Sequence, residues 1–463
     1  MVQSENTNMS KPIIRKIQFF KLLGPGLVLL FASGCASYGV IVNDTIPTPQ
    51  PEKEYSIRTH IAADKNADMS LTLTFSGGGT RAAALAYGVM QELRDTTYMS
   101  EGNLVRLLDE VDIISSVSGG SFTSAYYGLH GDGMFETFEE TFLRKDVEGK
   151  LIGEVLNPLH WFGRKGRTQR AIEYYDKEIF HGATFSDMLR PGAPLIIINT
   201  SDLAYGARIS FIQEYFDLYC SDLLTYPISN AVTASSAVPV VFNPVVVENF
   251  ADCNGADTSW VADLRKRADA NGDVELNALA SSLESYSDKA QRKYIHFVDG
   301  GITDNMGLRA MYDIISVSGG ANAFLKKTQY KRPNKAIIIA VDASTEPVLD
   351  MDVTNKEPSI AHSINAVTGV QLHRYNIATL ELVENAFGKW MDDLSTTDVS
   401  IEPYFIELSF ENLQSPDARL FFNKVPTSFK LSNEQVDKLI AAGRQLLREH
   451  PDFKRLMADL NIQ

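Results

Sequence analysis

Along this chain, short apolar runs alternate with longer small-residue or amphipathic stretches. Leu71-Thr72-Leu73-Thr74-Phe75 alternates in the period of a strand. Pro194-Leu195-Ile196-Ile197-Ile198-Asn199 and Ala336 to Asp342 are near-continuous apolar runs, the pattern of strands covered on both faces. Val111 to Ile114 and Tyr294 to Val298 read as strands too, and Ile209-Ser210-Phe211 as a further short one. Helical patterns lie between them: Ala82 to Met90, the small-residue run after Gly120, Ala231 to Pro239, and Pro358 to Trp390. Gln91 to Val111 is also expected to be helical, with Leu93, Leu104, Leu107 and Leu108 on its apolar side. Phe135, Phe138 and Phe142 have helical spacing and read as core. Ser432 and Gln435 form a capping box that opens a last helix, ending near His450-Pro451. Asn249 to Arg292 is polar and reads as an insertion.

Three strands end in residues suited to chemistry. The first leads into Ser76-Gly77-Gly78-Gly79-Thr80-Arg81. Consecutive glycines at a helix N-terminus gather backbone N–H groups into an anion site. A Walker loop is excluded because its Lys-Ser/Thr pair is missing, and the spacing is not G-x-G-x-x-G. An oxyanion hole suits the loop better, since donors aimed at a tetrahedral oxygen need close backbone approach. Arg81 either braces this loop or adds positive charge. The second strand leads into Ser116-Val117-Ser118-Gly119-Gly120, a strand–turn–helix transition that projects Ser118 from the end of a sheet. Ser116 stands where G-x-S-x-G has its first glycine. The third ends in Asp299-Gly300-Gly301, a carboxylate made approachable by two glycines and a candidate general base. His296 lies three residues before Asp299, so strand alternation turns it to the opposite face. His362 and His373 lack metal-ligand spacing, and Asp269 to Asp273 has the wrong spacing for a calcium loop. No metal or organic cofactor is expected.

The chain has 463 residues and a formal net charge of -15, and its acidic balance argues against nucleic acid as a partner. Lys11, Arg15, Lys16 and Lys21 form a basic leader before an apolar run, Leu22 to Phe31. That run is too short to span a bilayer, which needs about 20 apolar residues, but it suits a signal-peptide core. Ala32-Ser33-Gly34 before Cys35 resembles a bacterial lipobox, which would make Cys35 the lipidated N-terminus of the mature chain; an ordinary secretory signal cleaved nearby is the alternative. Without residues 1–34 the chain loses four basic groups and Glu5 and carries -18, so its anchor has to come from acyl chains. Ala36, in place of aspartate, points to the outer rather than the inner membrane of a bacterial envelope. Ser37 to Ser70, with Pro47, Pro49 and Pro51, reads as a flexible tether able to hold the body tens of ångströms from the membrane, at about 3 Å per residue. Cys220 and Cys253 remain, as a disulfide or as two buried thiols. Leu156 to Phe162 is a compact apolar loop, read as buried packing or as a lipid-contacting lid.

The three motifs, in this order, resemble those of patatin-like phospholipases. Ala231 to Pro239 with Phe242 and Pro244 is similar to that family's helix-and-proline block, and Asn199 to Phe211 to its strand pair; together they cover about residues 71–345. The resemblance implies an α/β fold, a three-layer α/β/α sandwich with a mostly parallel central sheet. It implies a Ser-Asp dyad in which Ser118 attacks an ester carbonyl and Asp299 accepts its proton. Gly77, Gly78 and Gly79 would hold the oxyanion with Arg81 in support, and Ser116, Gly119 and Gly120 would shape the elbow. The expected organisation is a leader over 1–34, lipidated Cys35 and tether over 35–70, a hydrolase domain over 71–430 and a C-terminal helical segment over 431–463. The expected activity is hydrolysis of phospholipid or related acyl esters at the bacterial envelope. The rival is an envelope lipoprotein that keeps the fold as a binding or scaffolding module, with Ser116 the feature that gives it room. A thioesterase or peptidase on the same dyad differs only in substrate.

Overall fold

A computed structural model describes residues 38–48, 53–61, 68–100, 102–150, 166–239, 241–346, 353–396 and 400–460. The leader, Cys35 and the apolar loop 156–162 lie outside the described residues. In chain order the strands are β1 (Asp44–Thr45), β2 (Met69–Phe75), β3 (Thr97–Ser100), β4 (Asn103–Arg106), β5 (Val111–Val117), β6 (Leu195–Asp202), β7 (Arg208–Ser210), β8 (Ser221–Asp222), β9 (Val245–Glu248), β10 (Tyr294–Val298), β11 (Lys335–Val341) and β12 (Glu402–Leu408). One eight-stranded sheet has the order β12-β11-β2-β5-β6-β10-β9, with β7 on β6. Neighbours from β12 to β6 are parallel, and β7, β10 and β9 add antiparallel pairings.

The central strands are apolar on both faces because helices cover both. Helices α1 (Thr80–Asp95), α2 (Gly119–His130) and α3 (Ile228–Ser235) follow β2, β5 and β8. On the opposite face lie α4 (Arg309–Ser318) and α5 (Ile360–Leu394). Alternation along β2 serves both layers: Phe75 meets Gly120 of α2, while Ser70 and Thr72 join Phe324, Phe387 and Trp390 around a small apolar cavity. This is the three-layer sandwich with a mostly parallel sheet.

Three expectations change. The stretch 91–111 is not one helix. α1 stops at Asp95, β-favouring Thr97-Tyr98 begins the β3–β4 hairpin, and Gly102 at φ 84° turns it. Leu104 is exposed on that hairpin. The helix expected to be the last, α6 (Asn433–Glu449), packs into the sandwich and is followed by a further helix, Pro451–Asp459. α6 opens at the capping box of Ser432 and Gln435 and crosses α1 closely, glycine to backbone. A Cβ on Gly88 would lie 2.2 Å from the Ile440 oxygen, and one on Gly443 2.3 Å from the Leu85 oxygen. Arg448 then reaches back to buried Glu92 through two bonds of 2.8 and 2.7 Å.

The stretch 35–70, expected as a free tether, is bound to the body wherever it is described. Gly39 lies against Val246 so closely that a Cβ would stand 2.4 Å from its Cγ2. The Asn43 side chain exchanges two 2.9 Å bonds with the Glu248 backbone at the sheet edge, and β1 pairs with β8. Tyr55 is fully buried, its hydroxyl accepting from Ile196 N at 2.9 Å and donating to Ile196 O at 3.1 Å. Val42, Ile46, Tyr55 and Ile57 pack the described parts of this stretch down. Cys220 and Cys253 are joined in a disulfide beside this strap, and Cys220 O accepts from Ile46 N at 2.9 Å. The polar insertion forms two helices, 259–271 and 274–284. Asp269 to Asp273 is their junction, with Gly272 left-handed and Asp273 accepting from Glu275 N and Leu276 N.

Overpacking the α1–α6 crossing tests its role. Gly88→Ala should lower stability by about 1–3 kcal/mol, seen as a lower urea midpoint at unchanged slope.

Candidate active site

The parallel strands β2 and β5 deliver two of the motifs to one end of the sheet, and antiparallel β10 brings the third to the same level. Ser118 leaves β5 at φ 49°, ψ -117°, a conformation that L residues adopt only when their surroundings impose it. The surroundings are specific. Ser118 N donates to Ser235 Oγ at 2.8 Å, and Ser235 Oγ donates to Asn199 O at 2.6 Å. Ser121 N closes onto Ser118 O at 3.0 Å. Gly119 and Gly120 permit the closure: a Cβ on Gly119 would lie 2.1 Å from Gly79 O, and one on Gly120 2.7 Å from Phe75 Cβ. The elbow thus rests directly on the glycine loop.

Ser116 does not strain this turn. It is not among the residues with positive φ, so the position does not call for glycine here. Its buried hydroxyl bonds Ser124 Oγ at 2.6 Å and Ile197 O at 3.3 Å.

Asp299 is buried beside Ser118. Its N–H donates to Ala237 O, and its Oδ1 accepts from Gly301 N at 2.7 Å. Oδ2 accepts no well-aligned hydrogen bond among the described residues. Burial raises the carboxyl to about 6, opposed by the Gly301 N–H and by the nearby Ser118 hydroxyl, both of which favour the ionised form. The glycines after it are required: a Cβ on Gly300 would lie 2.4 Å from Asn199 O. His296 is exposed on the other side of β10, in a shallow pocket with Asn243 and Pro244.

The glycine loop is divided in its roles. Gly77 N donates to Asn305 O at 2.9 Å, so its N–H is not open to an oxyanion. The N–H groups of Gly78 and Gly79 make no hydrogen bond among the described residues; both glycines have positive φ, and Gly79 opens α1. Arg81 is the brace rather than the charge. It is buried, and it donates to Ala343 O, Val425 O and Thr427 Oγ1 at 2.8, 2.6 and 3.0 Å. Burial lowers its pKa to about 10, against the pull of Asp342. Ser76, read as a departure from the family pattern, is buried and links Gly77 O to Ala343 N.

Several supporting residues were not assigned roles from the sequence. Ser235 sits in a helix that reads only as small and closely packed. Asn305 accepts from Gly77 and lies against Gly301, yet in sequence it is one more turn residue. Asn199 donates to Ser115 Oγ and Ser116 O, and is itself fixed by Arg208, which also pairs with Asp313 at 2.8 Å. The regular interval between Asp202 and Arg208 gives no sign of this network. Among the described residues, no group of three or more His, Cys, Asp or Glu is placed to hold a metal ion.

A model of the family described as patatin-like phospholipase matches residues 73–312, more than half of the chain. The chain belongs to the patatin-like phospholipase family and is, in that family's general terms, a lipid acyl hydrolase. The structure of human GIVD cytosolic phospholipase A2 is similar at TM-score 0.46 and 11% identity, covering 92% of this chain and 72% of that one. The same human protein in complex with methyl gamma-linolenyl fluorophosphonate gives 0.38 and 12%, covering 91% and 69%. No curated protein matches the sequence.

Two outcomes follow from the geometry. Ser116→Gly should leave activity within about twofold of the parent and cost about 1 kcal/mol of stability through the lost Ser124 bond. Asp299→Asn should be stabilising at neutral pH. A carboxyl raised from 3.8 to about 6 holds its proton better folded than unfolded, so its contribution to stability falls as pH rises through that window. Removing the charge should recover up to about 3 kcal/mol above pH 6 and nothing below about pH 3.8, read as melting temperature against pH.

Proposed function

We propose that the chain hydrolyses acyl esters, phospholipids or related lipids, through Ser118 as nucleophile and Asp299 as general base. Ser118 Oγ attacks the ester carbonyl while its proton passes to Asp299. The carbonyl oxygen becomes an oxyanion received by the N–H groups of Gly78 and Gly79. As the tetrahedral centre collapses, Asp299 returns the proton to the departing alcohol and the acyl group stays on Ser118. Water, deprotonated by Asp299, then releases the fatty acid and restores the serine.

The observation that carries this reading is the pairing itself: a serine in a forced backbone conformation beside a buried carboxylate whose Oδ2 has no well-aligned partner among the described residues. The same pairing supports turnover over the binding-module alternative, since binding requires neither the forced serine nor the buried charge. Ser116, the feature that left that alternative open, is accommodated by Ser124.

We further propose that residues 1–34 are a lipoprotein signal, that Cys35 is diacylated, and that the protein works at a bacterial envelope, on its outer rather than its inner membrane. The Cys220–Cys253 disulfide supports an oxidising compartment.

Fluorophosphonate labelling with peptide mapping tests the nucleophile. Label is expected on Ser118 and absent in Ser118→Ala; folded parent protein that takes no label would overturn the assignment. Asp299→Asn should lower kcat about 10²–10⁴-fold. In the parent, kcat/KM should fall below pH about 6, where Asp299 takes up its proton; an acid limb unchanged by altering Asp299 would count against it as the base.

A further inference from the structure

The small cavity between the sheet and the layer of α4 and α5 lies at the end of the sheet away from the active site. Ser70 and Thr72 at the start of β2, Asp112 at the start of β5 and Ala336 at the start of β11 line it. The glycine loop and Ser118 follow the other ends of β2 and β5. Along β5 alone, lining residue Ile113 and Ser118 stand about 16 Å apart. The cavity has a volume of about 90 Å³. One of about 150 Å³ accommodates benzene, so this one admits a few carbons of a single chain.

Its lining is not uniform. Phe324 of the helix Ala321–Thr328 and Phe387, Trp390 and Met391 of α5 form a buried apolar part. Ser70, Asp112 and Tyr330 are only partly buried and mark a polar mouth. Asp112 Oδ2 accepts from Leu71 N at 3.0 Å and from the Tyr330 hydroxyl at 3.1 Å. Thr72, on the same face of β2 as Ser70, is 5% exposed and reaches deeper. The Ser70 and Thr72 hydroxyls bond to no described residue. A buried hydroxyl without a partner is costly, and a second hydroxyl brought to it can both donate and accept.

Charge at the mouth narrows the occupant. Asp112 opposes an anionic head group. Lys331 and Arg332, exposed directly after Tyr330, oppose a cationic one. Other charges stand aside. Asp392 and Asp393 on α5, and Lys326 and Lys327 on the helix before Tyr330, are exposed on faces that helical spacing turns from the cavity. Strand alternation turns Lys335 away from the face of Ala336. Asp68 Oδ1 accepts from Asn334 Nδ2 at 2.8 Å.

We propose that this cavity binds a neutral alcohol with a single short hydrocarbon chain, the chain end among Phe324, Phe387 and Trp390 and the hydroxyl at Ser70 and Thr72. The site is separate from Ser118 and needs neither the hydrolase nor the lipoprotein reading.

The chain has three tryptophans. Trp161 lies outside the described residues, and Trp260 Nε1 is buried with no partner among them. In the full chain with Trp161→Phe and Trp260→Phe, Trp390 is left as the reporter. The probe is bromohexanol, brominated at the end away from its hydroxyl, since bromine quenches indole fluorescence on contact. Quenching should saturate, with a dissociation constant at least fivefold below those of bromohexanoate and bromohexylammonium. Thr72→Val keeps the side-chain shape without the hydroxyl. It should weaken bromohexanol about fivefold and leave bromohexane, which has no hydroxyl, within twofold. Ala321→Leu, which fills the cavity, should remove saturable quenching by both. Quenching that does not saturate, a charged probe that binds as tightly as the alcohol, or an alcohol affinity unchanged in Thr72→Val or in folded Ala321→Leu overturns the proposal. Thr72→Val decides the matter even where Ala321→Leu does not fold.

Discussion

Serine does not rest at φ 49°, ψ -117° unless something holds it, and much of this site can be understood as what holds it. A residue so placed stores on the order of 1–3 kcal/mol. One hydroxyl, Ser235 Oγ, binds Ser118 N on one side and Asn199 O on the other. Two glycines let the turn press against the neighbouring loop, where a single Cβ would collide with Gly79. That loop is in turn fixed by Asn305 through Gly77, by Ser76 through Ala343, and by Arg81 through three acceptors. The support of Ser118 is spread over elements from β2 to the segment around Val425.

The carboxylate shows the complementary constraint. Burial raises the proton affinity of Asp299, which suits the role of base proposed for it, and the same burial disfavours its charge at neutral pH. The structure offsets part of that penalty with the Gly301 N–H and the nearby Ser118 hydroxyl. A further strong donor would hold the charge more firmly and make it a poorer base. An oxygen with no well-aligned partner among the described residues is normally a defect; beside Ser118 it is the property the proposed chemistry needs.

The strands were legible because buried parallel strands write themselves as apolar runs, and the three motifs were legible because turns at strand ends demand glycine. What was hidden has physical reasons. Leu104, Leu107 and Leu108 have helix-like spacing with Leu93, but β-favouring Thr97 and Tyr98 and the turn at Gly102 outweigh it. The strap was obscured by its prolines, which describe backbone shape and not whether that shape is packed. Which N–H of Gly77, Gly78 and Gly79 is free depends on Asn305, more than two hundred residues away. Ser235 was invisible because a serine in a small-residue helix looks alike whether its hydroxyl supports a nucleophile or its own helix.

The packed strap changes how substrate concentration should be reckoned. A body on a long loose tether samples a large volume, and most of its encounters are with water. A body whose strap is fixed along β9 and clamped beside the Cys220–Cys253 disulfide has almost no such volume. With the acyl anchor proposed at Cys35, its effective lipid concentration would be set by the leaflet that holds the anchor. Under that proposal, rate would follow the mole fraction of substrate in that leaflet rather than the amount of protein in solution, and a cut within the strap would abolish the advantage while leaving Ser118 and Asp299 in place.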